Sequence, residues 1–288
     1  MDLSTLFRVK KVVFSLEVFP PKKDNPVHVI YNTLLGLRGL PADFISVTYG
    51  AGGSAVQQSK TCEIASLIRS NYHIEPVSHL TCVNARKDKI IETLNTLKEN
   101  GVQNILALRG DIPEGGAPHS DYHYAAELVR DIKSQGDFCV GGACYPEGHV
   151  EAANKTEDIL HLKEKVDAGC EFLTTQMFFD NNIMYNFLYR IREKGITVPV
   201  VAGIMPVTNV KQIKRITSMS GTYLPERFKA IVDRFGDNPA AMKQAGVIYA
   251  TEQIIDLIAN GVNHIHVYSM NKPEIAAGIQ SSLSEILK

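Results

Sequence analysis

The sequence predicts an α/β fold, a (β/α)8 TIM barrel with extra helices between its seventh and eighth strands. Three observations lead there: eight short segments rich in β-branched and apolar residues, helical periodicity between them, and a near-constant spacing from one segment to the next. Strands of a parallel sheet covered on both faces read as nearly continuous apolar runs, because neither face meets water. The segments are VVFSLEVFP (12–20), FISVTYG (44–50), PVSHLTC (76–82), NILALRGD (104–111), FCVGGACYP (138–146), FLTTQMFF (172–179), PVVAGIMP (199–206) and HIHVYSMN (264–271). Up to the seventh, their starts lie 27 to 34 residues apart, enough for one strand, one helix and two short loops.

The first strand runs into FPPKKDNP, whose paired prolines exclude the GxGxxG turn that an open dinucleotide-binding sheet carries at this point. Eight βα units therefore favour the closed barrel. After the second strand, Ser54 is placed to cap a helix on which Ile64, Leu67 and Ile68 share a face. After the third, Ile90, Leu94 and Leu97 repeat at helical spacing. Segment 155–168, KTEDILHLKEKVDA, puts Ile159, Leu162 and Val166 on one face beside Asp158, His161 and Lys165. The long interval before the eighth strand holds two helical patterns around the breaker GTYLPE and the turn FGDNPAA. With no Gly/Ser-rich or Pro-rich linker, the expectation is one domain over residues 1–288.

Composition narrows the partners. Hydrophobic residues are 44% and charged residues 21% of the chain, a globular balance. Thirty basic residues against thirty-one acidic give a net charge of -1, so no global field points to nucleic acid or an anionic membrane. The N-terminal basic pair precedes an apolar stretch of the wrong length for a signal peptide. No apolar run approaches the roughly 20 residues of a membrane span. The expectation is a cytoplasmic protein with a small-molecule substrate. Five cysteines, odd in number and without a CxxC pair, read as reduced packing residues, and no metal site is predicted.

Barrel enzymes build their sites where the strands end, so polar residues there require explanation. Here they are Glu17 in strand one, Thr48 and Tyr49 in strand two, His79 in strand three, Arg109 and Asp111 in strand four, Tyr145 in strand five, Gln176 in strand six and Lys272 after strand eight. Glu17, among apolar residues, is the first choice for a proton donor, since desolvation raises a carboxyl pKa. The alternative is a buried ion-pair partner for Arg109 or Lys272. Asp111 is a second carboxylate able to take an electrostatic role. Gln176 offers an amide suited to orienting a heterocycle, or a cap for the next loop. His79 is a base, a ligand or a packing residue. Strand cores without lysine disfavour a Schiff-base aldolase. MPVTNV and NKPE lack a glycine-rich phosphate cradle, so a ligand phosphate is held elsewhere. His161 and Lys165 on the 155–168 helix are the candidates, unless that face is simply solvated.

Together FSLEVFPP, SVTYGAGG, HLTC, LALRGD, YPEGHVEA, KVDAG, TTQMFFD, GIMPVTN and HVYSMNK, in that order along nearly the whole chain, resemble the methylenetetrahydrofolate reductase family. The resemblance implies a barrel of one-carbon metabolism that binds FAD and reduces methylenetetrahydrofolate to methyltetrahydrofolate. The flavin N5 takes a hydride from a donor and passes it on, in ping-pong order. It implies Glu17 as the acid that protonates the folate during ring opening, Asp111 in contact with the pterin and the flavin field, Gln176 on the pterin, and Lys272 near substrate. Thr48, Tyr49, Ala51, His79, Leu108, Arg109, Gly110, Asp111, Tyr124, Ala125, Tyr145 and His149 match FAD-binding segments. Asp158, His161 and Lys165 match the helix near ribose and pyrophosphate. Val210 stands where many members have an aromatic residue, and Glu164 where some have a base. The donor implied is NAD(P)H or a partner subunit, and homo- and hetero-oligomers both stay open. The chain stops one helix after the last strand, which leaves no room for the C-terminal regulatory domain of longer members. A pterin-dependent methyltransferase barrel and a barrel subunit of an electron-transfer complex are the competing expectations.

Overall fold

Each predicted segment forms a strand, and all but one of these strands are shorter than the apolar run that marks them. In the computed structural model, which describes residues 1–21, 29–49, 55–111 and 120–288, they are β1 (Val13–Val18), β2 (Phe44–Val47), β3 (Glu75–Thr81), β4 (Asn104–Leu108), β5 (Cys139–Cys144), β6 (Phe172–Thr175), β7 (Val200–Ile204) and β8 (His264–Val267). Thr48, Arg109, Tyr145 and Gln176 each follow the last ladder residue of their strand and stand in the loop beyond it. All eight strands pair in parallel and in chain order, and β8 closes on β1 through Val13↔His264 and Ser15↔His266. The predicted barrel is what forms.

Alternation along each strand sorts the side chains. Phe14, Leu16 and Val18 of β1 pack outward into the layer between strands and helices, with Ile45, Val47, Ile105, Val140 and Ile265. Val13, Phe44, Val77, Leu106, Cys139, Phe172 and Val201 face the lumen. Two glycines of β5 make room for neighbours. A Cβ on Gly141 would lie 2.2 Å from the Phe172 ring, and one on Gly142 would lie 2.7 Å from the Lys165 side chain.

Helices α1 (Leu3–Val9), α2 (Val29–Leu37), α3 (Ala55–Leu67), α4 (Lys87–Glu99), α5 (Ala125–Ser134), α6 (Lys155–Asp167) and α7 (Asn181–Glu193) precede β7. The π-helical turn Ile68–Tyr72 extends α3. Ser54, the predicted cap of α3, lies outside the described residues, whereas Ile64 and Ile68 are buried as its apolar face requires. Helix α6 is capped by the Asn154 side chain, which accepts from the Thr156 and Glu157 amides.

Two features depart from expectation. Between β7 and β8 lie three helices rather than two patterns: α8 (Val210–Ser220), α9 (Glu226–Phe235) and α10 (Pro239–Ala259); α11 (Pro273–Ser282) follows β8. The FGDNPAA turn restarts a helix, because Asn238 caps it and Pro239 takes the first position, where a missing N–H costs nothing. At the other end, α1 plugs the barrel. Its Phe7 ring meets Phe44, Phe172 and His264 at centroid distances of 6.3, 5.5 and 4.8 Å, and Asn104 Oδ1 accepts the Leu3 amide at 2.9 Å. Seven residues are too few for a legible amphipathic pattern, and this helix is made by its packing.

Candidate active site

The lumen changes character along its length. Below, around Phe7, it is apolar; above lies a polar layer of Glu17, Ser46, His79, Thr174, Gln176, His266 and Tyr268 around a cavity of about 270 Å³. A second cavity of about 680 Å³ opens over the ends of β3, β4 and β5 and against α6. The two share Leu108, Ala143 and Tyr145 as a common wall.

Glu17 is the centre of the smaller cavity. Its side chain keeps 19% of its accessibility, and its Oε2 lies 3.8 Å from both His79 Nε2 and His266 Nε2. Ser46 Oγ donates to the same oxygen at 3.5 Å. Neither predicted alternative partner is involved: Arg109 pairs with Glu151 through both nitrogens, at 2.5 and 2.9 Å, and Lys272 donates to Thr208 Oγ1 at 3.3 Å. His79 is buried, and its Nε2 has no hydrogen-bond partner among the described residues. Burial, only partly opposed by Glu17, pushes its pKa down to about 4, so the ring is neutral at neutral pH. Gln176 lines this cavity, with its Oε1 accepting the Met177 amide at 3.0 Å.

The end of β1 is held by a residue that sequence reasoning overlooked. Asn271 accepts the Phe19 amide at 3.0 Å and donates to the Phe19 carbonyl at 2.9 Å, a two-point clasp from the loop after β8. Met270 and Asn271 adopt φ of 57° and 55°, a left-handed turn that asparagine tolerates better than most residues.

The larger cavity gathers most of the predicted cofactor contacts. Tyr49, Leu108, Arg109, Gly110, Asp111, Tyr124 and Ala125 line one part. Tyr145, His149, Asp158, His161 and Lys165 line the rest, with Glu151 and Glu164. Lys165 crosses Gly142 and donates to the Ala143 carbonyl at 2.7 Å; burial lowers its pKa. Burial raises that of Asp158 and pushes the Tyr145 phenol up to about 12. The Tyr145 ring meets His149 edge-on at 4.6 Å.

Other predicted residues fall elsewhere. Asp111 lies in the larger cavity and does not join Glu17 and Gln176 in the smaller one. His79, matched to the FAD-binding segments, lines the smaller cavity beside Glu17. Thr48 and Lys272 line neither cavity: the Thr48 carbonyl accepts from Thr61 Oγ1, and Lys272 precedes α11. Ala51 lies outside the described residues. Sequence reasoning missed Ser46, His266 and Tyr268, although the period-2 alternation of HIHVY already placed His264, His266 and Tyr268 on one face. All five cysteines are buried and unpaired. Among the described residues no cluster of His, Cys, Asp and Glu is placed to hold a metal ion, and no helix is long and apolar enough to cross a membrane.

Comparison with known proteins adds to this geometry. The sequence profile of the family described as methylenetetrahydrofolate reductase matches residues 3–284. The chain is 36% identical over 291 residues to the probable methylenetetrahydrofolate reductase (NADH) of Oryza sativa subsp. japonica, covering 96% of this chain and 49% of that protein. It is 35% identical over 270 residues to the 5,10-methylenetetrahydrofolate reductase of Escherichia coli, covering 93% of this chain and 90% of that protein. The chain thus spans about half the length of the plant relatives and nine tenths of the bacterial ones. Among solved structures, a Clostridium thermocellum protein that binds two copies of 5-methyl-5,6,7,8-tetrahydrofolic acid superposes with a TM-score of 0.71 at 14% identity, covering 99% of this chain and 100% of that one. A 2,3-dimethylmalate lyase superposes with a TM-score of 0.55 at 10% identity, covering 100% of this chain and 85% of that one. At these identities the structural likeness is one of fold.

Proposed function

The chain belongs to the methylenetetrahydrofolate reductase family, and from that premise we propose that it is a catalytic unit reducing 5,10-methylenetetrahydrofolate to its 5-methyl form, with FAD as hydride carrier and Glu17 as general acid. The observation that carries this reading is the Glu17 carboxyl group, set in a polar layer of an otherwise apolar lumen and one shared wall away from a larger cavity.

The larger cavity has the chemistry FAD requires. Its volume of about 680 Å³ falls within the roughly 300–1,000 Å³ of small-molecule sites. Gly142 is the cradle: only a residue without Cβ lets the Lys165 stem lie across β5 to reach the Ala143 carbonyl in the cavity wall. Lys165 and His161 would hold the pyrophosphate, Asp158 the ribose, and Arg109, Gly110, Asp111, Tyr124 and Ala125 the remainder. When bound, FAD supplies the two-electron carrier that serves the donor and the folate in separate half-reactions. The donor is NAD(P)H or an electron-carrying partner subunit.

The protein's own task is the proton. Opening the folate imidazolidine ring requires protonation of its N10, and Glu17 is the acid in the cavity. Gln176 orients the pterin through its amide NH2. Tyr145, in the shared wall, keeps the two ligands in register. His79, neutral at neutral pH, adds no positive charge beside the carboxyl group.

The Glu17→Gln variant tests this reading. It removes the proton while keeping shape, and is expected to retain FAD and its reduction by the donor while folate reduction falls about 10²–10⁴-fold. Equal loss in both half-reactions removes Glu17 from the acid role, and protein that neither carries nor takes up FAD refutes the flavoenzyme assignment.

A further inference from the structure

The polar layer around Glu17 contains a hydrogen-bonded chain that the acid role alone does not use. Strand register builds it. In β1, Ser15 pairs with His266 of β8 and Glu17 with Ser46 of β2, so the four side chains converge from three adjacent strands on one face. Ser15 Oγ donates its single proton to the Ile265 carbonyl at 2.9 Å. It can therefore only accept at its 2.8 Å contact with His266 Nδ1, which must carry a hydrogen. The opposite nitrogen, Nε2, is 3.1 Å from Ser46 Oγ, and Ser46 Oγ is 3.5 Å from Glu17 Oε2. Stacking on Phe44 at 5.8 Å and the edge-on Tyr268 ring at 5.2 Å hold the imidazole in place.

Resting on the acid role of Glu17, we propose that His266 and Ser46 are positioning residues that form a proton relay, reloading Glu17 through Oε2 while Oε1 faces the folate. Each turnover consumes one proton, and a ligand stacked over the cavity separates the carboxyl group from bulk water. In the loaded relay His266 is an imidazolium, with Nδ1–H on Ser15 and Nε2–H on Ser46, and the Ser46 hydroxyl hydrogen points at Glu17. Transfer breaks the Nε2–H bond as an O–H bond forms on Ser46. At the same time the original Ser46 O–H bond breaks as one forms at Glu17 Oε2. Imidazolium and carboxylate become imidazole and carboxylic acid, and no electrons are exchanged. Hydronium in the open cavity, which His266 lines, recharges the ring between turnovers. Because Nδ1 keeps its proton on Ser15 in both states, the ring never has to flip. Among the described residues the titratable groups facing Glu17 are His79 from β3 and His266 and Tyr268 from β8 and its following loop, with Tyr145 across the cavity.

Three variants test the relay in the flavin-loaded protein by transient kinetics of each half-reaction. Ser46→Ala cuts the chain at its middle and is expected to slow folate reduction about tenfold, a share of the 10²–10⁴ carried by a general acid, with the loss confined to that half-reaction. Ser46→Thr, which keeps the hydroxyl, is expected to restore the rate. A proton inventory is expected to show more than one proton in flight in the parent and a single one in Ser46→Ala. Without any ligand, ¹⁵N NMR is expected to find His266 as the Nδ1–H tautomer, and Ser15→Ala to weaken that preference. If Ser46→Ala leaves the rate, its pH profile and the proton inventory unchanged while Glu17→Gln abolishes folate reduction, the relay is overturned and the acid role stands. If Glu17→Gln itself is harmless, both fall.

Discussion

Replacing His79 by Gln should remove a proton-linked component of stability whose size follows from the structure. The ring is buried, and its pKa falls from the ordinary 6.5 to about 4 because desolvation outweighs the nearby Glu17 carboxyl group. A group with a depressed folded pKa binds fewer protons in the native chain than in the unfolded one over that interval. Its stability contribution is therefore fully present above pH 6.5 and is lost as pH falls through about 4. The interval spans about 2.5 pH units at about 1.4 kcal/mol each, so the parent should lose roughly 3 kcal/mol that the variant does not. Urea unfolding of both proteins from pH 7.5 to 4 supplies the comparison, with the difference between them cancelling the carboxylates they share. NMR titration, with His79 assigned by its absence from the variant spectrum, supplies the midpoint directly. Parallel stability curves, or an imidazole midpoint at 6 or above, would refute the argument.

Other perturbations probe the remaining devices. Lys165→Met removes the cation assigned to the pyrophosphate and should weaken FAD binding on the order of 10–100-fold in Kd, read by flavin titration; unchanged affinity would place the phosphates elsewhere. Gly141→Ala drives a Cβ to within 2.2 Å of the Phe172 ring and should cost about 1–3 kcal/mol, with Phe172→Leu restoring thermal stability in the double variant. Asn271→Ala deletes both bonds to the Phe19 main chain and should cost about 1–3 kcal/mol in chemical denaturation. Because the clasp holds the strand that carries Glu17, folate reduction should fall with it while FAD content stays.

The fold was legible because a barrel of buried parallel strands needs little beyond local pattern. Apolar runs such as FISVTYG and PVVAGIMP are covered on both faces, and their spacing leaves room for one helix each. Helix α1 was not legible, since seven residues acquire their shape from Phe7 meeting Phe44 and Phe172. The third helix before β8 was hidden by a turn whose Asn238–Pro239 pair starts a helix as readily as it ends one.

The same division runs through the site. The sequence alone singled out candidates at the strand ends, because a carboxylate in SLEVFPP stands out against apolar neighbours and alternation assigns it to a face. Their neighbours came from folding. Glu17 faces His79 and His266 rather than Arg109 or Lys272, Asp111 sits across a shared wall from it, and Ser46 and Ser15 become part of a hydrogen-bonded chain. The reason is physical: a side chain's face follows from its own strand, whereas its partners follow from strand register around a closed barrel, which sets residues 251 positions apart at 2.8 Å.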